Sequence, residues 1–541
     1  MLMDQSSRDD TLVGIRPPGA APAGAVSRQS SRDKPRKRSA GGSSMEEEGR
    51  AISRSVEIVD TTTRDGNQSL WGATGLTAGD ILAIAPAMER VGFHALDFTS
   101  STHMAISVRF HQEDPWELIR LMRAAMPNTL LNFITSGMRF IAWQPCDDEV
   151  MRLAFRCVVR NGIRRIQFAE PANDPQALRR AARVAREEGV EEIVVGLTYS
   201  ISPVHTHAYY AERVAALADC ADIDRFYLKD PGGLLTTDAV RELAPHFVAT
   251  GRTVELHSHC TIGLAPLVYM AGLDAGFHVL HTAVGPAGSG TSQPTVESTL
   301  RNLEADGYRH TLDTAALDEV SGYFRDLVWE KRLPPGAPRE YDAAYYHHQL
   351  PGGMVTTTTR MLDEIGRPEL FPAVLDEIVR VRAEMGYPIL VTPVSQLMAT
   401  QAFRNVVDAE RWTTVSDETV RYFLGHYGDF PAPPDPDVAD KVLSLPKVET
   451  LRDAQPVSLD GARRRFGAGI SDEDLLLRLT MPQEQVDAMR AAPPIAERPP
   501  PAAVAGRHPL VRLLREVERR SSISYLCVRK GDDLVVWRRA S

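Results

Sequence analysis

RFYLKDPGGLLTTDAVRELAPHFVATGRTVELHSHCTIG, residues 225–263, decides the fold. It opens with a short apolar, β-rich run, RFYLK (225–229), and turns at two glycines. A helical stretch follows, TDAVRELAPHFVATG (237–251), and then a second β-rich run, TVELH (253–257). Strand, helix and strand in this order imply two parallel strands joined by a right-handed crossover. The same rhythm runs outward on both sides. VEIVD (56–60), ALDF (95–98), LLNFI (130–134), RRIQFA (164–169) and IVVGLTY (193–199) precede it, and VLHTAV (279–284) follows. Helical stretches such as DPQALRRAARVAREEG (174–189) lie between them. Eight strand-and-helix repeats predict a TIM (β/α)8 barrel over residues 53–305. A doubly wound open sheet is the alternative, but no GxGxxG follows the first run.

The flanking segments read differently. Residues 1–52 are rich in Ser, Arg, Gly, Pro and Ala, with a basic RDKPRKRS and an acidic EEE, and are expected to be a disordered tail. Residues 306–491 carry long helical patterns, as in ELFPAVLDEIVRVRAEMG (369–386) and DEDLLLRLTMPQEQVDAMRAA (472–492), and predict a helical domain. A Pro/Ala linker spans 492–506, and 507–541 predicts a helix plus a β-hairpin turning at Lys530-Gly531-Asp532-Asp533. No apolar run reaches the ~18 residues of a membrane span, and the N-terminus lacks a secretory layout. Five scattered cysteines without a CxxC point to a reducing, cytoplasmic setting. A net charge of −10 argues against nucleic acid as a partner.

In such a barrel the chemistry sits where strands end. His257 and His259 stand two apart at one strand end, so both imidazoles face one side. With Asp65, from the loop after the first strand, they form a two-His, one-carboxylate set suited to Zn, Mn or Co. Two satisfied structural histidines are the competing reading. Lys229 ends the sixth strand in a chain with 54 arginines and only seven lysines. A salt bridge to Asp230 or Asp65 would explain a cation there, but Arg would serve equally. A primary amine near a metal can lose its proton, add CO2 and become an anionic carbamate ligand, which a guanidinium cannot do. Thr291, in the small-residue loop PAGSGTSQP (286–294), is either a turn residue or a hydroxyl that carries a proton.

DTTTRDGNQSL, EDPWELIRLMR, SPVHTHAYY, LKDPGGLLT, HSHCTIGLA, GTSQPTVES, HQLPGGM and GYPILVTPVSQLMATQA occur in this order. Together they resemble the carboxyltransferase domain shared by pyruvate carboxylase, the oxaloacetate decarboxylase alpha subunit and the keto-acid subunit of transcarboxylase. The resemblance covers about residues 54–480. It implies a TIM barrel followed by a funnel-like helical domain. It also implies metal ligands at Asp65, His257, His259 and carbamylated Lys229, a catalytic threonine at Thr291, and Arg64 and Gln68 beside the substrate. The implied reaction is carboxyl transfer between carboxybiotin and a keto acid or related acyl acceptor.

The substrate grip departs from that family. Ser136, in FITSGMRF, stands where the family has a carboxylate-binding arginine, and Trp143 where it has a tyrosine. GGATFD becomes SSTHMA, losing an aspartate at Ala105. Asn67 replaces a common histidine, and Cys260 replaces the aspartate after the second histidine ligand. Arg139 and His103 are the candidate replacements for the missing cation. No lysine follows a methionine, so biotin is expected on a separate carrier protein, with a biotin carboxylase subunit as further partner. The C-terminal helix and hairpin resemble the stretch before the biotinyl domain of carrier proteins, and a homodimer is the expected assembly. Two other readings compete. One is a Claisen-type metallo-lyase or synthase on the same barrel, whose relatives lack the strand-six lysine and the HQxPGGM domain. The other is a scaffold subunit without chemistry, which need hold no metal.

Overall fold

The computed structural model describes residues 54–140, 147–452, 458–496, 513–514, 517, 523–530 and 533–538. The expected disordered tail, Trp143, and most of the linker and the C-terminal helix lie outside the described residues.

All eight runs form strands: β1 Glu57–Asp60, β2 Ala95–Ser100, β3 Leu130–Thr135, β4 Arg165–Ala169, β5 Glu192–Thr198, β6 Arg225–Asp230, β7 Thr253–Ser258 and β8 Val279–Thr282. They pair in parallel in chain order, and β1 closes on β8 with Asp60 opposite Thr282. Nearly every strand residue is buried, because helices cover the outer face and side chains fill the inner one. The crossover helices begin where the sequence supplies a cap. Asp174 precedes Pro175 at the start of Pro175–Glu187, and the Thr236 hydroxyl accepts from the Ala239 amide at the start of Thr237–Val248.

The helices of 306–491 do not share one core. Residues such as Leu350, Val374, Ile378, Met398 and Trp412 make a core of their own. Leu317, Val320 and Phe324 of helix Thr314–Lys331 belong instead to the barrel core, as do Leu475, Leu476 and Val486. Arg490 ties that last segment to Asp114 at 2.6 Å, and Glu473 meets Arg120 at 3.1 Å. The long helical pattern at 472–492 is two helices, Asp472–Thr480 and Gln483–Ala491, broken at Met481. Pro482 pushes the residue before it out of helical geometry, and Met481 is extended (φ −133°, ψ 155°). At the C-terminus, β9 Tyr525–Lys530 and β10 Asp533–Arg538 form the expected antiparallel hairpin, with Lys530 opposite Asp533.

Gly66 is not needed for a sharp turn, since its φ is −58°. It is needed for space, because a Cβ there would lie 2.9 Å from the Ala287 carbonyl oxygen. Gly196 on β5 is constrained more tightly. A Cβ there would stand 2.2 Å from the Tyr227 ring, which is fully enclosed in the barrel. Gly196→Ala is therefore expected to destabilise the barrel by about 1–3 kcal/mol through overpacking. The readout is the midpoint of urea unfolding, and an unchanged midpoint contradicts this account.

Candidate active site at the barrel mouth

Residues 60–71 follow β1 as a tight helical turn, Thr62–Gly66, continuing into Asn67–Trp71. This turn delivers Arg64 and Asp65 over the barrel mouth, both buried. Arg64 donates through Nε to Asp97 Oδ2 at 2.8 Å and through a terminal nitrogen to both Asp97 and Asp65, the latter at 3.0 Å. Ser69 donates to the other Asp65 oxygen at 3.0 Å. Burial raises the Asp65 carboxyl, but Arg64 and the two nearby imidazoles outweigh it and hold the group well below the usual carboxylate range. Asp65 is therefore an anion with a fixed orientation.

Asp65 Oδ2 lies 3.2 Å from His257 Nε2 and 3.6 Å from His259 Nε2, and the two Nε2 atoms are 3.2 Å apart. Bonds of 2.0–2.1 Å to a tetrahedral ion would separate neighbouring donors by about 3.3 Å. The set therefore fits a small divalent cation without rearrangement, and it is the one such group of three among the described residues. Tautomer also fits. His259 Nδ1 is 2.6 Å from the Thr291 carbonyl, which only accepts, so the proton is on Nδ1 and Nε2 keeps its lone pair. Burial keeps His257 neutral, well below the usual imidazole range, against the pull of Asp65.

Lys229 is the Cα partner of His257 in the β6–β7 ladder, so both side chains point into the barrel. It is 8% exposed, and its side-chain amine has no hydrogen-bond or ion-pair partner among the described residues. Asp230, the salt-bridge partner weighed from the sequence, accepts instead from the Leu234 and Leu235 amides and Ser258. Burial, with Arg64 nearby, pushes the Lys229 amine down to about 8. Thr291 is half-buried and donates to the Ser69 carbonyl at 2.7 Å. It lines a cavity of about 590 Å³ with Ser69, Thr261, Gly290 and the segment 334–339. Gln68 is half-buried with no hydrogen-bond partner among the described residues.

Of the other sequence candidates, His103 lies near Arg64 and Asp65, and Arg139 bonds toward the helical segment. Ser136 is half-buried just past β3. Arg139 donates to the His426 carbonyl at 3.1 Å and lies 5.6 Å from the centre of the Tyr427 ring, so it ties the barrel to the helical segment. His103 is buried against Ser100 at 3.0 Å. Burial and Arg64 push it down to about 3, which makes it a neutral group rather than a cation.

Several residues escaped the sequence reading. Asp97 neutralises Arg64 and accepts from Asn132, which also donates to Gln167. Gln293 lies between the imidazoles, 2.9 Å from His259 Nε2 and 3.3 Å from His257 Nε2. The available signal was a polar residue inside an otherwise apolar strand run, as in ALDF, LLNFI and RRIQFA.

Residues 55–323 match the family described as HMGL-like, and residues 345–507 match the one described as the conserved carboxylase domain. The chain is 34% identical over 443 residues to a subunit of the pyruvate carboxylase of Methanocaldococcus jannaschii, covering 80% of this chain and 78% of that protein. This chain belongs to the pyruvate carboxylase family of carboxyltransferases. Within the family it is also similar to the 2-oxoglutarate carboxylase large subunit of Hydrogenobacter thermophilus, at 28% identity over 80% of this chain and 68% of that one. The carboxyl transferase domain of Rhizobium etli pyruvate carboxylase with 3-bromopyruvate shares the fold. Its TM-score is 0.73 at 23% identity, covering 81% of this chain and 77% of that one. Membership with the second, carboxylase-specific region sets this family member apart from the Claisen-type lyases of the same barrel.

Purified protein is expected to carry about one divalent ion per chain. His257→Ala or His259→Ala should strip it, as read by elemental analysis after dialysis. Ion content unchanged in both variants would remove this cluster as the metal site.

Proposed function

We propose that this chain is the carboxyltransferase subunit of a biotin-dependent carboxylase, moving a carboxyl group between carboxybiotin on a separate carrier protein and a keto acid. The single observation that carries this reading is the convergence of Asp65, His257 and His259 beside the buried Lys229 amine, next to a cavity lined by Ser69 and Thr291, which contact Asp65 and His259 respectively. A divalent cation held there, Zn, Mn or Co, supplies Lewis-acid stabilisation for a developing enolate oxygen.

The chain's own residues supply the rest. Lys229, as the neutral amine, adds CO2, loses a proton and becomes a fourth, anionic oxygen donor. Arg64 holds Asp65 in place through a bond that also engages Asp97. Carboxybiotin enters the cavity beside Thr291, and its N–C bond to the carboxyl group breaks. The Thr291 hydroxyl turns from the Ser69 carbonyl, gives its proton to the biotin nitrogen and takes one from the keto-acid methyl. The enolate carbon so formed makes its new bond to the released CO2. Gln68 offers its unengaged amide to the substrate. The decarboxylating direction is the reverse of these steps.

Lys229→Arg is expected to be inactive although it keeps the positive charge, because only a neutral primary amine forms the carbamate. With 13C-labelled bicarbonate and dissolved CO2 held fixed, the carbamate NMR signal should grow as pH rises through about 8, where the amine loses its proton. Full activity in Lys229→Arg contradicts the mechanism.

The acceptor's carboxylate meets a rebuilt grip. Ser136 is uncharged, His103 is neutral, and Arg139 is engaged with His426 and Tyr427. A hydrogen bond to a charged group is worth about 1.5–3 kcal/mol, so pyruvate is expected to be used roughly 10–100-fold less well than by an arginine-bearing site. Ser136→Arg should recover that factor in kcat/KM for pyruvate. If the wild-type protein uses pyruvate well, Arg139→Ala identifies whether Arg139 turns to grip it.

A further inference from the structure

The two histidines of the cluster present Nε2 to the same point but are held from behind in different ways. His259 uses a backbone carbonyl, which can only accept. His257 uses another imidazole: its Nδ1 lies 3.2 Å from Nδ1 of His281 on β8, both residues almost wholly buried. An imidazole can donate or accept, so this contact alone leaves the His257 tautomer undetermined. What lies behind His281 bears on the choice. Its Nε2 is 2.8 Å from Glu255 Oε2. Arg165 donates to the same Glu255 oxygen at 2.6 Å, and Arg225 stands 3.7 Å from the other. A carboxylate against two guanidiniums is ionised and accepts only. A His281 ring whose Nε2–H donates to that carboxylate can present Nδ1 as an acceptor. A His257 that gives Nε2 to a cation carries its proton on Nδ1, and His281 Nδ1 is the acceptor that this N–H faces.

We propose that His281 is a positioning residue of the metal cluster, held by the Arg165–Glu255 pair so that His257 presents an unprotonated Nε2. This rests on the reading of Asp65, His257 and His259 as metal ligands. The chain Arg165, Glu255, His281, His257 crosses from the barrel floor to the mouth by direct side-chain contacts. The geometry gives the chain little freedom. Tyr227 stacks on His281 with ring centres 5.8 Å apart and planes 8° from parallel, and Gly196 provides the space Tyr227 occupies. The His257 and His281 rings stand at 78° with centres 5.2 Å apart and their Nδ1 atoms in contact.

The test measures affinity, not turnover. Metal-free wild-type protein, His281→Met and His281→Gln are titrated with Zn or Co against a chromophoric chelator, and the thermal midpoint of each metal-free protein is recorded. His281→Met offers only a weak thioether acceptor, and loss of such an outer partner is expected to raise the Kd roughly 10–100-fold. His281→Gln offers one acceptor and one donor and should recover most of that loss. A merely structural role would lower the thermal midpoints and leave the Kd of folded protein unchanged, which overturns the proposal. His257→Ala run alongside separates the two readings. If wild type binds metal and His257→Ala does not, yet His281→Met binds like wild type, the relay alone falls. If wild type binds no metal, or His257→Ala binds it as tightly, the ligand assignment falls and the relay with it. A metal-bound crystal structure gives a check independent of variant folding. Metal on His257 Nε2 with Nδ1 still facing His281 is expected, and metal on Nδ1, or His281 turned away, overturns the proposal.

Discussion

Arg64 lies between two buried carboxylates, and the mouth of the barrel depends on that arrangement. A guanidinium taken out of water persists only if its charge is matched, and removing one partner of such a buried set costs about 3–5 kcal/mol. Asp97 is the partner fixed in the β2 strand, and Asp65 is the partner on the turn above it. The cation thus joins a connecting turn to a rigid strand. Through Asp97 the same charge is tied to Asn132 and Gln167 on the next two strands. The position of Asp65 is in this way referred to the sheet rather than to its own loop.

The remaining cluster members follow a similar division. His257 and Lys229 stand on paired strands, where ladder hydrogen bonds fix their spacing. His259 lies just beyond β7 and is steadied by the loop that carries Thr291. Groups that need a constant geometry sit on strands or are tied to them, while Thr291 and Gln68 stand at the open edge. A site built this way keeps its donors in register when the loops above it rearrange.

The barrel was legible because eight apolar runs alternate with amphipathic helical stretches, and that period has few other solutions. Asp65, His257, His259 and Lys229 were legible as a group because residue type and strand-end position coincided. The polar layer beneath them was not. Glu255 and His281 are single polar residues inside TVELH and VLHTAV, and a sequence shows neither which strands become neighbours nor which charge faces which. Met481 broke a helix pattern that periodicity alone ran through, because the restriction that proline imposes falls on the residue before it. The departure at Ser136 was visible as a substitution, and Arg139 and His103 as candidate replacement cations. That His103 is neutral and Arg139 is turned toward Tyr427 followed only from burial and packing.

Lysine pairing has a consequence for chemoselectivity. Lys331 is bound to Asp80, Lys441 to Glu410 at 2.7 Å and Lys447 to Asp417 at 2.9 Å. Each of these amines is paired with a carboxylate. Among the described residues with placed side chains, Lys229 alone lacks such a partner. Small electrophiles that add only to a neutral amine, such as CO2 or cyanic acid, are thereby directed, among the described lysine side chains, to Lys229. The near-absence of lysine elsewhere, with arginine carrying the surface charge, keeps competing reactions few. Cyanate, which makes a permanent urea where CO2 makes a reversible carbamate, would on this account act as a site-directed poison.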